Sequence, residues 1–228
     1  MICSGRQIVI LTQFTAGNAE TVQTIFQSIS QQRSVAFEIS NSRFQIIEGT
    51  SENPRRHFSQ STESDFVYQE KLGSADRLYV IGGGHCSLAL SEVMSKLDFR
   101  ISIFDDRTDL STIEKNDFAD NVIIIEDYAA VADSIPDEGG SYVVVMTLGY
   151  ASDKVVIKQL CNRDFKYFGV LGSKAKMATL MKELKGEGID SDRLARIRTP
   201  IGIPINSRTP EEIAISIAAE IIAVKNGA

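Results

Sequence analysis

The chain has 228 residues, of which 43% are hydrophobic and 24% charged, and its formal net charge at pH 7 is −6. This composition is typical of a globular protein with one domain, or with a small domain joined to a larger one. An acidic balance without a basic run argues against nucleic acid as a partner. No apolar stretch reaches the roughly 18 residues that a membrane span requires.

The cysteine content indicates the redox environment of the chain. Cys3, Cys86 and Cys161 form an odd and widely spaced set, which argues against a disulfide framework and against a zinc site. The first six residues resemble neither a signal peptide nor a transit peptide. We therefore expect the chain to work in the reducing cytoplasm, and we assign no metal site.

Residues 1–72 predict a small α+β domain. Its expected elements are a strand over residues 6–14, a helix over 18–31, a hairpin over 34–40 and 43–48, and a polar surface loop or linker over 50–65. A unit of this size buries only a modest core by itself. We therefore expect it to pack against the second domain or against another subunit.

Residues 73–228 alternate between strand and helix patterns. Five short apolar runs predict strands, at residues 77–81, 100–104, 121–125, 142–146 and 166–170. Helical patterns cover residues 86–97 and 152–161, and a third helix is expected after Ser173, to about Lys185. This alternation predicts an α/β fold, a Rossmann-like doubly wound parallel sheet with helices on both faces. Ligands of such sheets bind at the carboxyl ends of the strands.

The last predicted helix has a clear beginning. Thr209-Pro210-Glu211-Glu212 places threonine at the N-cap and glutamate three positions later, which is a capping box. Residues 213–224 are apolar almost all round, and a helix of that kind needs cover on most sides. We expect it at the centre of the domain or in a contact between subunits.

The most informative stretch is a glycine turn between the first strand and the first helix of this second domain. Gly82, Gly84 and Ser87 occupy the three positions of a G-x-G-x-x-G pattern, with serine in place of the third glycine. Gly83 and His85 lie between them. Such a turn lets backbone N–H groups approach an anion, and the helix N-terminus adds unpaired donors. The turn predicts a phosphorylated, nucleotide-like ligand; alternatively, it needs glycine only for its sharpness.

A second strand ends in Asp105-Asp106-Arg107, about twenty residues after the turn. One of the two aspartates would accept a hydrogen bond from a ribose hydroxyl or from a pterin-type ring, and Arg107 would meet a phosphate. The alternative is ordinary solvation of charged residues at the end of a strand.

His85 and Cys86 each allow two interpretations. His85 would donate to a phosphate or act as an acid near neutral pH, or it simply faces solvent. Cys86 stands at the beginning of a helix, where a thiolate is favoured. It is otherwise a small, buried apolar residue.

Two more positions are candidates for binding. Gly172-Ser173-Lys174 repeats the strand-to-helix geometry at another strand end and predicts a second anion site, unless Ser173 is a simple N-cap. Cys3 lies close to Gly5, before the first predicted strand. It is either a soft ligand or a cysteine without a function.

Four segments together resemble the XdhC/CoxI family, the xanthine dehydrogenase accessory (maturation) proteins. They are the glycine turn in Leu78–Leu90, the paired aspartates in Ile103–Arg107, the second turn in Tyr167–Lys176, and Pro200–Ala214. The corresponding family patterns are L-Y-I-x-G-x-G-H-V-x-x-A-L, V-x-D-D-R, Y-I-G-L-I-G-S-R-x-K and P-I-G-L-x-I-G-A-x-T-P-E-E-I-A. The resemblance extends over residues 78–224.

The chain departs from the family pattern in three respects: its beginning, Ser4 in place of a glycine, and residues 147–150. Met1-Ile2-Cys3-Ser4-Gly5 resembles an M-I-C-G-G segment that lies well inside the family's N-terminal domain, so the resemblance implies a shortened domain here. Residues 147–150, Thr-Leu-Gly-Tyr, stand where the family often has T-H-G-H. The missing histidines weaken the expectation, implied by the resemblance, that this loop has an acid–base or metal role.

The resemblance implies a protein that binds molybdenum cofactor, supports its sulfuration and delivers it to a molybdenum hydroxylase such as xanthine dehydrogenase. A cysteine desulfurase would be a second partner, and a homodimer would form through the apolar final helix. This role is that of a chaperone more than of a catalyst, and we assign no catalytic residue. The cofactor-binding candidates are Gly82, Gly83, Gly84, His85, Ser87, Asp105, Asp106, Arg107, Gly172, Ser173, Lys174 and Cys3. Two other hypotheses stay open, an NAD(P)-dependent oxidoreductase and a non-catalytic nucleotide-binding module.

Overall fold

The computed structural model describes residues 8–31, 35–47, 56–62, 65–73, 76–136 and 140–227. The chain divides into two units, residues 1–74 and residues 75–228. Among the helices that these ranges contain, none combines the length and the apolar content that crossing a membrane requires.

The described part of the N-terminal unit contains one α-helix and a four-stranded antiparallel sheet. After a short 3-10 turn (Ala16–Asn18), its elements are α1 (Ala19–Ser30), β1 (Val35–Ser40), β2 (Phe44–Ile47), β3 (Arg56–Thr62) and β4 (Asp65–Leu72). The strand order is β2-β1-β4-β3. The predicted helix is confirmed, and so is the hairpin, because β1 and β2 pair in antiparallel register.

Two predictions for this unit are wrong. Residues 8–14 form no strand, although their apolar pattern is that of one. The polar segment predicted as a loop contains β3, which is exposed along its whole length and pairs with β4. A strand at the edge of a sheet gains its hydrogen bonds from its neighbour and needs no apolar face, which explains why the pattern did not reveal it.

The C-terminal unit is a five-stranded parallel sheet with helices on both faces. Its elements are β5 (Asp76–Ile81), α2 (His85–Ser95), β6 (Phe99–Asp105), α3 (Ser111–Glu114), β7 (Asn121–Ile124), α4 (Val131–Ser134), β8 (Tyr142–Val145), α5 (Tyr150–Leu160), β9 (Tyr167–Val170), α6 (Lys174–Gly186), α7 (Ser191–Ala195) and α8 (Pro210–Lys225). The strand order is β7-β6-β5-β8-β9, and every pairing is parallel. The predicted Rossmann-like sheet and its five strands are confirmed.

The sheet is buried on both faces, which is why its strands read as continuous apolar runs. Along β5, Leu78 and Val80 face one apolar cluster, which includes residues of α2 and α8. Tyr79 and Ile81 face the other, which includes residues of α5 and α6. Because every strand of the sheet runs in the same direction, each loop that follows a strand lies at the same carboxyl edge.

Helix α8 begins with the predicted capping box. The Thr209 hydroxyl accepts a hydrogen bond from the Glu212 N–H at 3.3 Å, and the Glu212 carboxylate accepts one from the Thr209 N–H at 3.4 Å. The helix packs against α2. Lys225 near its C-terminus pairs with Asp76 at the beginning of β5, so α8 runs parallel to α2. Its outer side is not fully covered within the chain, since Ile215 is 55% exposed, and the predicted contact between subunits stays a prediction.

Candidate functional site

The candidate site lies at the carboxyl edge of the parallel sheet. β5 is the first strand of the sheet in the chain, and its two neighbours are β6 and β8. The strand order therefore reverses between β5 and β8, and open α/β sheets bind ligands in the crevice at that point. Helices α2 and α5 begin at this edge, shortly after β5 and β8 end.

Two of the three glycines in the turn after β5 are required by the protein's own packing. Gly82 has a φ of +111°, and a Cβ there would lie 2.6 Å from the carbonyl carbon of Met146. A Cβ on Gly83 would lie 2.6 Å from Ile113 Cδ1. For these two positions, the shape of the turn is a sufficient reason for glycine.

Among the described residues, no such contact or backbone strain explains why position 84 is glycine. Gly84 is the N-cap of α2 with an ordinary φ of −74°, and a Cβ there would meet no atom of the described residues within 4 Å. Its N–H and those of His85 and Cys86 have no acceptor among the residues that the structure describes, as is usual in the first turn of a helix. Unpaired donors therefore lie beside open space, an arrangement that holds phosphate groups in other proteins.

Asp105 holds the glycine turn in place. Its side chain is fully buried and accepts hydrogen bonds from the Gly83 N–H at 2.6 Å and from the Arg107 N–H, Nε and Nη2 at 3.0, 2.8 and 2.8 Å. Burial alone would raise the pKa of Asp105, but these hydrogen bonds and the charge of Arg107 outweigh it and lower that pKa. Of the two carboxylates predicted as alternatives for meeting a ligand, that of Asp105 is thus occupied by four donors of the protein.

Asp106 is the exposed member of the pair. Its side chain is 42% exposed, and its Oδ1 lies 3.8 Å from Arg107 Nε. Tyr128 forms a hydrogen bond with Asp106; burial, followed by the charges of Asp105 and Asp106, raises the pKa of the Tyr128 hydroxyl. Of the three residues predicted at this strand end, Asp106 and the exposed part of Arg107 are accessible to a ligand.

The three residues that follow Gly84 differ in exposure. His85 is exposed, whereas Ser87 is fully buried and its hydroxyl has no partner within the described residues. Cys86 packs against the apolar cluster of α2 and α8. Burial and the negative charge of Glu211 raise the pKa of the Cys86 thiol. Of the two interpretations of Cys86, the structure therefore favours a small apolar residue. The N-terminus of α2 does not make its thiol a thiolate.

The second predicted turn lies after β9 on the same edge. Ser173 is the N-cap of α6, and its hydroxyl accepts a hydrogen bond from the Lys176 N–H at 3.3 Å. A Cβ on Gly172 would lie 2.5 Å from Met177 Cε, so packing explains this glycine, and Lys174 is exposed. Because β8 alone separates β9 from β5, the two turns are two strand spacings apart, roughly 10 Å. The remaining candidate, Cys3, lies outside the described residues.

The sequence did not reveal a buried carboxylate at this edge. The side chain of Asp153 in α5 is 1% exposed. Its Oδ1 lies 2.6 Å from the Thr147 hydroxyl, and its Oδ2 lies 3.3 Å from Lys176 Nζ. Burial raises the pKa of Asp153 despite these partners. These contacts of Asp153 join the loop after β8 to α6. In the sequence, Asp153 is only an aspartate in the first turn of a helix, and such residues are common on protein surfaces.

The free energy of unfolding of Asp153→Asn is expected to increase relative to that of the wild type as the pH rises. The raised pKa means that the wild type loses stability as the pH rises from the unfolded value of about 3.9 through the folded value. Asparagine keeps an acceptor for Thr147 and removes the buried charge. Urea unfolding at pH 3.5 and pH 7 should show Asp153→Asn gaining on the order of 1 kcal/mol between them.

The control for this prediction is Asp133→Asn, on the exposed side of α4. It should follow the wild type at both pH values. If Asp153→Asn instead loses stability at pH 7, the ion pair with Lys176 outweighs the cost of burying the carboxylate.

Gly149, at the end of the neighbouring strand β8, repeats the situation of Gly84. It is the N-cap of α5 with a φ of −144°; in the part of the chain that the structure describes, it has no side-chain cap, and a Cβ there would meet no atom within 4 Å. Leu148 before it is 85% exposed. The edge therefore has two open helix N-termini, one on each side of the point where the strand order reverses. A glycine directly before the helix after β8 was the available signal in the sequence.

These features define a class of protein. A parallel sheet whose first strand is central, with a glycine turn after that strand and open helix N-termini at the carboxyl edge, is the arrangement of Rossmann-like domains. Within the ranges that the structure describes, no three His, Cys, Asp or Glu side chains are grouped to hold a metal ion.

Comparison with known proteins identifies the family. Residues 78–221 match the family model for the XdhC Rossmann domain. The chain therefore belongs to the XdhC family, as its four resembling segments predicted.

Three known proteins show the extent of the similarity. The chain is 28% identical over 162 residues to the uncharacterized protein YqeB of Escherichia coli K12, and 28% identical over 168 residues to a probable xanthine dehydrogenase subunit from Bacillus subtilis. These matches cover 71% and 73% of this chain, but only 30% and 47% of those two proteins. A crystal structure described as a xanthine dehydrogenase from Bacillus halodurans has the same fold, with a TM-score of 0.70 at 23% identity, over 91% of this chain and 64% of that one.

Proposed function

We propose that this chain binds the molybdenum cofactor, a phosphorylated pterin, at the carboxyl edge of its parallel sheet and supports the maturation of a xanthine dehydrogenase-type molybdenum hydroxylase. Membership of the XdhC family supports the association with xanthine dehydrogenase. Similarity to a protein named as a probable xanthine dehydrogenase subunit supports it as well. The chemistry of the edge supports the class of ligand.

The observation that carries the proposal is the open space beside Gly84. Glycine at this position has an ordinary φ, and it relieves no crowding among the residues that the structure describes. A ligand that approaches the backbone closely supplies the missing reason, because any side chain there would occupy its place. The free N–H groups of residues 84–86 and the dipole of α2 favour an anion in that space, so we assign it to the cofactor phosphate.

The other exposed groups of the edge suit the remainder of the ligand. Asp106 offers a carboxylate to the N–H groups of a pterin. His85 lies next to the assigned phosphate position and would donate to it. Gly149 leaves the N-terminus of α5 open on the other side of the crevice, and Lys174 adds an exposed positive charge at the second turn.

Replacing Gly84 with aspartate is expected to weaken cofactor binding at least tenfold. The new side chain would place a negative charge in the space assigned to the phosphate, while the fold has room for it. Anaerobic titration of the full chain with isolated molybdenum cofactor measures the affinity. Gly186→Asp is the matched control, because it adds the same group at an open glycine at the far end of α6.

Unchanged affinity in Gly84→Asp would contradict the proposal, since the glycine turn would then not be the binding site. Parallel titrations with NAD(H), ATP and CTP separate the other hypotheses. Turnover of a nicotinamide would identify an oxidoreductase. Tight nucleotide binding without an effect on the maturation of a molybdenum enzyme would identify a non-catalytic nucleotide-binding module.

The proposed role brings the chain to two other proteins, the molybdenum hydroxylase that receives the cofactor and a cysteine desulfurase that supplies sulfur. We place it in the cytoplasm, where thiols such as Cys86 and Cys161 stay reduced. A homodimer through α8 is supported by the exposure of Ile215 and Ile222, 55% and 36%, on that helix.

A further inference from the structure

The amino edge of the parallel sheet has a pocket that the proposed function does not use. Its volume is about 490 Å³, and it lies where the chain enters β9. One wall is drawn from residues 161–168, which lead into β9, and the other from residues 193–198, which include the end of α7. The glycine turn lies at the opposite edge of the same sheet.

Positive charge dominates this pocket. Five of its lining residues are cationic and one is anionic: Arg163, Lys166, Arg193, Arg196 and Arg198, against Asp164. Arg193 and Arg196 share the Asp164 carboxylate at 2.9 and 2.8 Å. Arg198 forms an ion pair at 3.4 Å with Glu220, which is not one of the lining residues. Even with Glu220 counted, the pocket has an excess of three positive charges in a chain whose formal net charge is −6.

Two of the cations have contacts that leave their charge uncompensated. The Arg163 guanidinium donates to the carbonyl oxygen of Ile135, which fixes its position without neutralising it. Lys166 Nζ lies 5.5 Å from the centre of the Tyr142 ring. Neither residue has a carboxylate within ion-pair distance among the residues that the structure describes. Fixed, unneutralised cations around a concave space are arranged to bind an anion.

We propose that this pocket binds a phosphorylated small molecule, at a site separate from the carboxyl edge. Guanidinium groups match phosphate oxygens in pairs, and four arginines line the pocket. Its volume lies within the range of small-molecule sites, roughly 300–1,000 Å³. Phe165 and Phe168, whose ring centres are 5.6 Å apart, add an apolar wall for the organic part of such a molecule.

Calorimetric titration of the full chain with pyrophosphate tests this site. The titration uses the Gly84→Asp background, so that the carboxyl edge does not contribute. We expect one pyrophosphate per chain, with at least a tenfold loss of affinity in Lys166→Glu and in Arg196→Glu. Lys166 is exposed and makes no ion pair within the described residues, so its variant decides the question if Arg196→Glu disturbs folding.

The matched control is Lys182→Glu, an exposed position on α6 outside the pocket lining, with the same change of charge. It should keep the affinity of the background within twofold. Equal losses in all three charge reversals would overturn the proposal, because attraction by the overall charge would then explain binding. Failure of pyrophosphate to bind, or binding of an acidic peptide alone, would overturn it too.

Discussion

Gly82→Ala is expected to reduce the free energy of unfolding by roughly 3 kcal/mol, because backbone strain at a positive φ and steric crowding both contribute. At this φ of +111° an L side chain is strained, and the new methyl group would lie 2.6 Å from the carbonyl carbon of Met146. For a unit of this size the Tm should fall by roughly 6–12 °C. Thermal and urea unfolding followed by circular dichroism measure both quantities.

Gly84→Ala, two residues away, is the matched control. Among the residues that the structure describes, its methyl group would meet no atom within 4 Å, and its φ is ordinary, so the cost should be limited to the weaker N-cap preference of alanine, about 1 kcal/mol at most. Cofactor binding should nevertheless weaken, because the methyl group enters the ligand's space. Equal destabilisation by the two substitutions would show that this division of the turn into a structural and a binding part is wrong.

Asp105→Ala is expected to cost about 3 kcal/mol at pH 7, because it leaves a buried amide and a partly buried guanidinium without their acceptor. The Gly83 N–H and the Arg107 side chain would lose hydrogen bonds of 2.6–2.8 Å. The folded pKa of Asp105 is lowered, so its stabilisation is present above the unfolded pKa of about 3.9 and is lost as the pH falls through the folded value. The difference between variant and wild type should therefore shrink in acid.

The neighbouring Asp106→Ala provides the comparison. Its side chain is 42% exposed and 3.8 Å from Arg107, so its loss should cost less than about 1 kcal/mol. Urea unfolding of both variants between pH 2.5 and pH 7 distinguishes the two aspartates. A larger effect for Asp106→Ala would mean that the exposed carboxylate, rather than the buried one, holds the turn.

The parallel sheet was predictable because its strands are buried on both faces. Burial on both sides produces continuous apolar runs such as Tyr142–Val145, and these runs alternate with helical patterns. In the N-terminal unit, by contrast, β3 has almost no apolar residues and is exposed throughout. Its conformation depends on pairing with β4, an interaction between distant residues that no local pattern records.

The candidate site was predictable in position but not in the roles of its residues. The glycine pattern and the acidic strand end located it, because glycine turns and strand ends leave local signals. Asp105 and Asp106 are the same residue type and adjacent in sequence, yet one is buried under four donors and the other is exposed. Asp153 was missed because its burial depends on Thr147 and Lys176, six and twenty-three residues away.

By itself the sequence determined the class of fold, the glycine turn at the end of β5 and the family, since each depends on hydrophobic periodicity or on a short run of residues. Only the tertiary structure decided which glycine is free for a ligand. The same is true of the carboxylate that holds the turn, and of the five cations that gather at the amino edge. The physical reason is that space, burial and net charge at a point are set by side chains from several strands and helices, which meet only when the chain is folded.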